Sequence, residues 1–352
     1  MIRKIGRYIL RKTGYGILVM TGVILIVFFL FQGFGDPARL VMGQTGDAAT
    51  LSNIRKELGL DQPRHIQLFR YINDLSPLCL HSRDEIRAKG LRGIFIGNEV
   101  TLGLKIPYLR RSYQSKRDVT SLLSDALFGT LLLASASMLL AICLGIPLGV
   151  LSAVNRDTWI DRSAILASIA GISAPSFFMG IVVAYLLGFV LHSFTGLPMT
   201  GSLFELTPFD GNRLSLQNLV LPAFTLGIRP LSIITQLTRS AMLDVLSQDF
   251  VRTARAKGLG RRKVIIRHAL PNALNPVVTA ITGWFAELLA GAFFVEYIFG
   301  WKGIGKMTVD ALEKLDYPVL MGSILVTSGI FVVVNILSDL LYAWLDPRIR
   351  PS

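Results

Sequence analysis

The sequence predicts an all-helical polytopic membrane protein with six transmembrane helices. Three observations lead there. Of 352 residues, 52% are hydrophobic and only 17% charged, against about 25% charged in an average soluble domain. The apolar residues are concentrated in six runs, near 14–34, 128–153, 164–191, 219–238, 277–299 and 319–343, each long enough for a bilayer crossing of roughly 20 residues. The formal charge of +13 would suggest nucleic acid on a soluble chain. Here it has a competing explanation, because cytoplasmic loops of membrane proteins collect Lys and Arg. The lipid bilayer is the expected partner, and no nucleic acid is.

Taken in order, residues 1–34 form a short basic tail and the first span. That run is too long for the apolar region of a signal peptide and has no clear cleavage site, so it reads as a retained anchor. Residues 35–127 form a long external segment of mixed charge. It should carry one helix from Leu51 to Leu58, stopped at Gly59, and another from Arg64 to Leu75, with no sign of an independent soluble domain. Residues 128–343 hold the other five spans and enclose a loop at 239–275, and 344–352 form a closing tail. Pro147, Pro175, Pro222 and Pro230 fall in the apolar runs, where neighbouring helices can satisfy the freed backbone groups. Gly145 and Gly149 let helices approach closely and read as packing within the chain in preference to a dimer motif. No internal repeat is evident.

Orientation follows from charge in the short loops. The N-terminus carries Arg3, Lys4, Arg7, Arg11 and Lys12 without an acid, which places it in the cytoplasm. Six crossings return the C-terminus, with Arg348 and Arg350, to the same side. Loop 239–275 then lies inside, with Arg239, Arg252, Arg255, Lys257, Arg261, Arg262, Lys263 and Arg267 against Asp244 and Asp249. The outside loop 192–218 has Arg213 against Glu205 and Asp210. Long loops cross regardless of charge, so the many cations of 35–127 do not count against this arrangement.

Within loop 239–275, Gln248 to Lys257 reads as a short helix around Phe250, Val251 and Ala254, and Gly258 suits the position just past its end. A second helix should run from Arg261 to Leu270 and end at Pro271, with Val264, Ile265 and Ala269 on its apolar face. Such a stretch fits a basic helix lying on anionic lipid. The small residues Ala254, Ala256 and Gly258 favour a protein partner, because they leave room for another surface.

The loop resembles the EAA signature of permease subunits in binding-protein-dependent ABC importers. Gly258 fits the glycine of that pattern, Ala254 its second alanine, and Leu270-Pro271 fall at the right distance. Arg252, Thr253 and His268 depart from the general pattern and match the peptide and nickel permease branch, as do Phe250 to Gly258 and His268-Ala269-Leu270. Further resemblances are Gly35-Asp36-Pro37-Ala38, Leu58 to Pro63, Gly145 to Ala153 and Asp316-Tyr317-Pro318-Val319. The stretch near 78–118 departs, being longer and more basic than is usual in the family. The resemblance implies a type I importer permease fold in a bacterial inner membrane. A second, similar permease completes the pathway, and an extracytoplasmic binding protein delivers substrate. Separate ATPase subunits, which use ATP and Mg, receive the loop in a groove. It also implies that Phe250, Arg252, Ala254, Arg255, Ala256, Lys257, Gly258, His268, Leu270 and Pro271 form the ATPase-coupling loop. Arg252, Arg255 and Lys257 would pair with acids there, for roughly 0–1 kcal/mol each, orienting a joint that packing holds. Peptides are the expected cargo, ahead of nickel chelates and glutathione-like compounds.

The chain itself is expected to be no enzyme and to bind no cofactor. Gly300-Trp-Lys-Gly-Ile-Gly305-Lys306-Met307 fits Gly-x-x-x-x-Gly-Lys but has Met where Ser or Thr should hold magnesium. It lies outside, away from cytosolic ATP, and by resemblance reads as a structured turn. His65, His81, His192 and His268 are scattered without metal-ligand spacing, and Cys79 (in a polar loop) and Cys143 (in a span) lie in opposite environments, so neither a metal site nor a disulfide is expected. An intramembrane protease would need a nucleophile set, but Gly171-Ile-Ser173-Ala174 lacks the Gly-x-Ser-Gly form. A stand-alone secondary transporter or channel is the main rival. Ionisable groups inside spans are costly and face an interior or a watery cavity. Arg229 and Glu287 are two such groups. Arg229 either lines the substrate pathway, pairs with Glu287 as a structural element, or snorkels to the lipid edge. Glu296 and Asp339 sit near span ends and read as interfacial.

Overall fold

Apolar chain inside a bilayer must satisfy its backbone internally, which makes helices of the apolar runs. In the computed structural model the described residues are 2–33, 38, 51–52, 55, 60–97, 100–207 and 211–345. The expected turn at Gly35–Ala38, the helix Leu51–Leu58 with its Gly59 stop, and the charges at Asp210, Arg348 and Arg350 lie wholly or mostly outside them, as does the side chain of Glu205. Helices Ile2–Gly33, Val119–Val154, Gln217–Leu246 and Tyr317–Leu345 are each long and apolar enough to cross a membrane.

The other two expected spans are bent. Trp159–Ser173 and Ser176–Val190 meet at 111°, and Arg261–Leu289 meets Phe293–Phe299 at 58°, so the count reaches six when each bent pair is one span. The first break has a local cause. Ala174 is extended (φ −75°, ψ 130°) because it precedes Pro175, whose ring disfavours helical backbone in the residue before it. Pro175 then begins the next helix, which ends in a π-helical stretch, Ala184–Val190.

The chain divides into two compact units. One comprises 1–10, 128–306 and 330–352. Its core gathers Leu133, Leu221, Ile234, Val277, Phe299 and Trp301 from several helices. Gly145 and Gly149 lie where a Cβ would strike Ile234, Leu231, Thr235 and Thr238 of helix Gln217–Leu246. They therefore serve close packing within the chain, as expected. Buried hydroxyls of Ser137, Ser232 and Thr235 donate to the carbonyl one turn back, which removes their polarity from the apolar surroundings.

The second unit comprises 11–127 and 307–329. Helix Arg64–Leu75 forms over the expected residues, and Tyr71 stacks on Phe28 of the first span with ring centroids 5.8 Å apart. Beyond it lies a feature absent from the sequence expectation, an antiparallel sheet of β1 (Leu78–Ser82), β2 (Gly93–Ile96) and β3 (Val100–Lys105), with β3 in the middle. Cys79 is thus on a buried strand position, not in a polar loop. The inner face carries Cys79, His81 and Thr101, and the outer face carries Leu78, Leu80, Ile94, Ile96, Leu102 and Leu104, all 50–76% exposed. Between β1 and β2, Ser82 and Glu85 form a capping box, and helix Arg83–Lys89 stops at Gly90 with φ 63°. Buried Asp74 binds Lys89 Nζ at 2.6 Å and Arg110 Nη2 at 3.4 Å, and its carbonyl accepts Lys105 Nζ from β3, which anchors the sheet. Asp316 receives Ser112 Oγ at 2.5 Å and the Tyr113 amide at 3.0 Å, fixing the chain that leads into helix Val119–Val154. A hairpin, β4 (Phe204–Thr207) with β5 (Gly211–Leu214), lies in the first unit.

Candidate functional site

The loop at 239–275 is ordered by its own sequence. Gln248 is extended (ψ 152°) and Asp249 occupies the first turn of helix Asp249–Ala256, where an acid suits the helix dipole. Val251 and Ala254, three residues apart, are both buried. The helix stops in a Schellman arrangement. The Gly258 amide donates to Arg255 O at 2.9 Å and the Leu259 amide to Ala254 O at 3.4 Å, with Gly258 at φ 76°. The expected stop at Gly258 is therefore present, and its cause is the left-handed backbone that glycine tolerates.

The second half differs from expectation. Arg261–Lys263 is helical, Val264–Ala269 is π-helical, and Leu270–Gly291 continues as the fifth span with Pro271 in its first turn. Pro271 does not end the helix. A proline lacks its N–H and crowds the carbonyl four residues back, and the widened turn directly before it accommodates both. Loop and span thus form one continuous rod from Arg261.

Of the residues singled out, Phe250, Arg252, Arg255, Ala256, Lys257 and Gly258 are exposed, as is Pro271, while His268 and Leu270 are half-buried. Ala254 is the exception. It is buried against the chain's own residues, so its small size admits the loop helix to its seat and not an outside partner. That seat is made by Ala153 at the end of the second span helix and by Met242 and Val245 of helix Gln217–Leu246. Arg261 Nη2 also donates to Val154 O at 3.1 Å.

Beside this seat is an ion pair that the sequence reasoning passed over. Asp161, 1% exposed, accepts Arg239 Nε at 2.6 Å and Nη2 at 2.7 Å. It also accepts the Ser152 hydroxyl and the Asp157 amide, the latter at 3.0 Å. In the sequence Arg239 reads only as one of the loop cations. An acid three residues before an apolar run is the available signal.

Arg229 and Glu287 do meet, with Nη1 3.6 Å from Oε1 and side chains 54% and 53% exposed. The Arg229 guanidinium also lies over the Trp284 ring at 5.2 Å. Both residues line a small depression of about 70 Å³. A larger apolar cleft, about 840 Å³, opens nearby between Leu144, Leu151, Trp159, Ile160, Phe224 and Leu231.

The phosphate-loop look-alike has an internal explanation. Gly300 is left-handed (φ 67°) and ends helix Phe293–Phe299. The following turn closes over Glu296, which is fully buried within the protein. Its carboxylate accepts Thr130 Oγ1 at 2.8 Å, the Lys306 amide at 3.1 Å and the Gly305 amide. The Thr130 hydroxyl in turn accepts the Ile304 amide at 2.9 Å. Trp301 Nε1 donates to Gly129 O at 2.9 Å. A glycine-rich nest of amides is an anion site, and here the chain fills it with its own carboxylate.

Comparison with known proteins agrees with this architecture. Residues 145–351 match the model of the binding-protein-dependent transport system inner membrane component, and residues 5–82 match that of its N-terminal part. The chain belongs to this family of ABC importer permeases. Relatives match it end to end. A probable D,D-dipeptide transport system permease of Escherichia coli K12 is 38% identical, covering 97% of each chain. The glutathione transport system permease of Salmonella typhimurium LT2 is 34% identical over 97% of this chain and 98% of its own. Among solved structures, the inward-facing MetNI methionine ABC transporter superposes with a TM-score of 0.52 at 17% identity, over 64% of this chain and 97% of that one. This likeness carries the fold alone. The permease is thus a helical component of an inner membrane transport system, and the type I importer fold expected from the loop is present.

Proposed function

We propose that this permease passes peptides across the inner membrane with a second, homologous permease, and that loop 239–275 receives the stroke of separate ATPase subunits. ATP and Mg are used in those subunits, and this chain binds no cofactor. Both termini lie in the cytoplasm with the loop. Substrate arrives from an extracytoplasmic binding protein. The observation that carries the reading is the seating of helix Asp249–Ala256. Its apolar side is locked to two span ends, while Phe250, Arg252, Arg255, Ala256 and Lys257 face outward. A rod that is rigid behind and charged in front suits a groove on a moving partner. The peptide-type names of the relatives support the cargo, since they match over almost the entire chain.

The test uses Gly258 in the complex reconstituted with its ATPases and binding protein. Among the described residues, none beyond its two chain neighbours comes within 4 Å of a Cβ placed there, so a substitution acts through the backbone and through whatever docks. Gly258→Val forces a β-branched residue into left-handed backbone, at about 1–2 kcal/mol. Gly258→Asn tolerates that region. Val should lower uptake about tenfold or more while ATP hydrolysis persists, an effect above 1.4 kcal/mol, and Asn should retain most of it. Undiminished uptake with Val, or uptake by the chain without any ATPase, would instead favour a stand-alone transporter.

A further inference from the structure

Resting on the reading of loop 239–275 as the ATPase contact, we propose that Asp161 and Arg239 are positioning residues for transport. They form the joint that passes movement of the loop into the second and third spans. The argument is geometric. One carboxylate takes donors from three stretches of chain. These are Ser152 near the end of the second span helix, the Asp157 amide in the 155–158 turn, and both Arg239 nitrogens from helix Gln217–Leu246. Asp161 itself begins helix Trp159–Ser173, so four elements converge on it.

The loop is tied to the same place twice. Arg261 holds Val154 O, two residues past Ser152. Val251, Ala254 and Val264 pack on Ala153, Met242 and Val245, and the last two lie on the helix that carries Arg239. Displacement of the loop helix therefore acts on both sides of the ion pair. A two-pronged guanidinium–carboxylate contact fixes angle as well as distance, so it transmits rotation as well as translation. The turn it grips is tightened by Asp157 at φ 64°, and it leads straight into the helix whose Trp159 and Ile160 line the apolar cleft.

A pair that only stabilises the fold is replaceable. Exchanging a buried ion pair for apolar residues of similar volume is often neutral or stabilising. Asp161→Leu with Arg239→Met should therefore preserve assembly, but it removes the angular restraint. In the complex with its ATPases, second permease and binding protein, the ratio of substrate imported to ATP hydrolysed should fall about fivefold or more, with ATPase activity maintained. Ser152→Ala, which removes one donor and keeps the prongs, should lower the ratio less. An unchanged ratio in the double variant overturns the joint. Should the double variant not assemble, Ser152→Ala decides alone, and a wild-type ratio there overturns the proposal. A wild-type complex whose uptake needs no ATP would instead count against the coupling reading itself, so the two failures are distinguishable.

Discussion

Single side chains explain much of how this permease is held and where it can be probed. Arg229 and Glu287 form a half-exposed pair, with Arg229 also resting on Trp284. If the pair is structural, Glu287→Gln and Arg229→Met should lower uptake equally. If Arg229 meets a substrate carboxylate, only Arg229→Met should do so, and it should raise KM before it lowers the amount of protein in the membrane. Glu85 is a second probe. Burial works against its ionised form, but the His81 hydrogen bond at 3.1 Å, Lys89 and the Ser82 amide together hold its pKa below the ordinary value. A depressed carboxylate contributes stability above its unfolded pKa and loses it as pH falls through the folded one. Acidification below about pH 4 should therefore lower hydrogen-exchange protection factors, corrected for intrinsic rates, in helix Arg83–Lys89 before those in Arg64–Leu75. An equal fall in both would assign the effect elsewhere.

Among the elements, the ones readable from sequence were those whose cause is local. Helix Arg64–Leu75 and the Gly258 stop follow from periodicity and one glycine. The Ser82–Glu85 capping box, Gly90 and the alternation in Leu78-Cys-Leu-His and Thr101-Leu-Gly-Leu-Lys are equally local signals, but the stretch near 78–118 reads in the sequence only as long and basic. The rod through Pro271 was not readable. A proline at the end of a short amphipathic stretch reads as a stop, and here the π-helical turn before Pro271 accommodates it instead. The turn over Glu296 was likewise hidden, since its partner Thr130 lies far away in sequence. Two outcomes are expected from it. A Cβ on Gly303 would strike the Glu296 carboxylate, and one on Gly305 would strike the Phe293 backbone first and then that carboxylate, so Gly303→Ala or Gly305→Ala should cost about 1–3 kcal/mol, as overpacking does, measured as a lower Tm in detergent. Glu296→Ala should empty the nest while leaving its donors in place, and formate should recover part of the lost Tm. No recovery with formate, when chloride at equal ionic strength also gives none, would show that the donors disperse.

For the whole molecule, composition and charge placed the chain in a membrane and counted its apolar runs, but they treated each run as straight. The 111° break at Pro175 changes one presumed crossing into a bent pair, and hydropathy is blind to direction. The outer face of the β1–β3 sheet was also invisible, because exposure depends on what a sheet leaves uncovered. Six aliphatic side chains there are more than half solvent-facing or at its limit. Single changes such as Ile96→Thr should alter stability, read from Tm, by no more than a surface substitution does, about 0.5 kcal/mol. A larger loss would mean that this face is covered in the assembled protein. Two of the buried carboxylates have a mechanical consequence. Glu296 grips Thr130 and Asp161 grips Ser152, and both hydroxyls belong to one helix, roughly 33 Å apart at 1.5 Å per residue, about the depth of the hydrocarbon layer. Held near both ends, that length of helix cannot splay at one end without breaking the hydrogen bond there, so it resists local opening and moves as one piece.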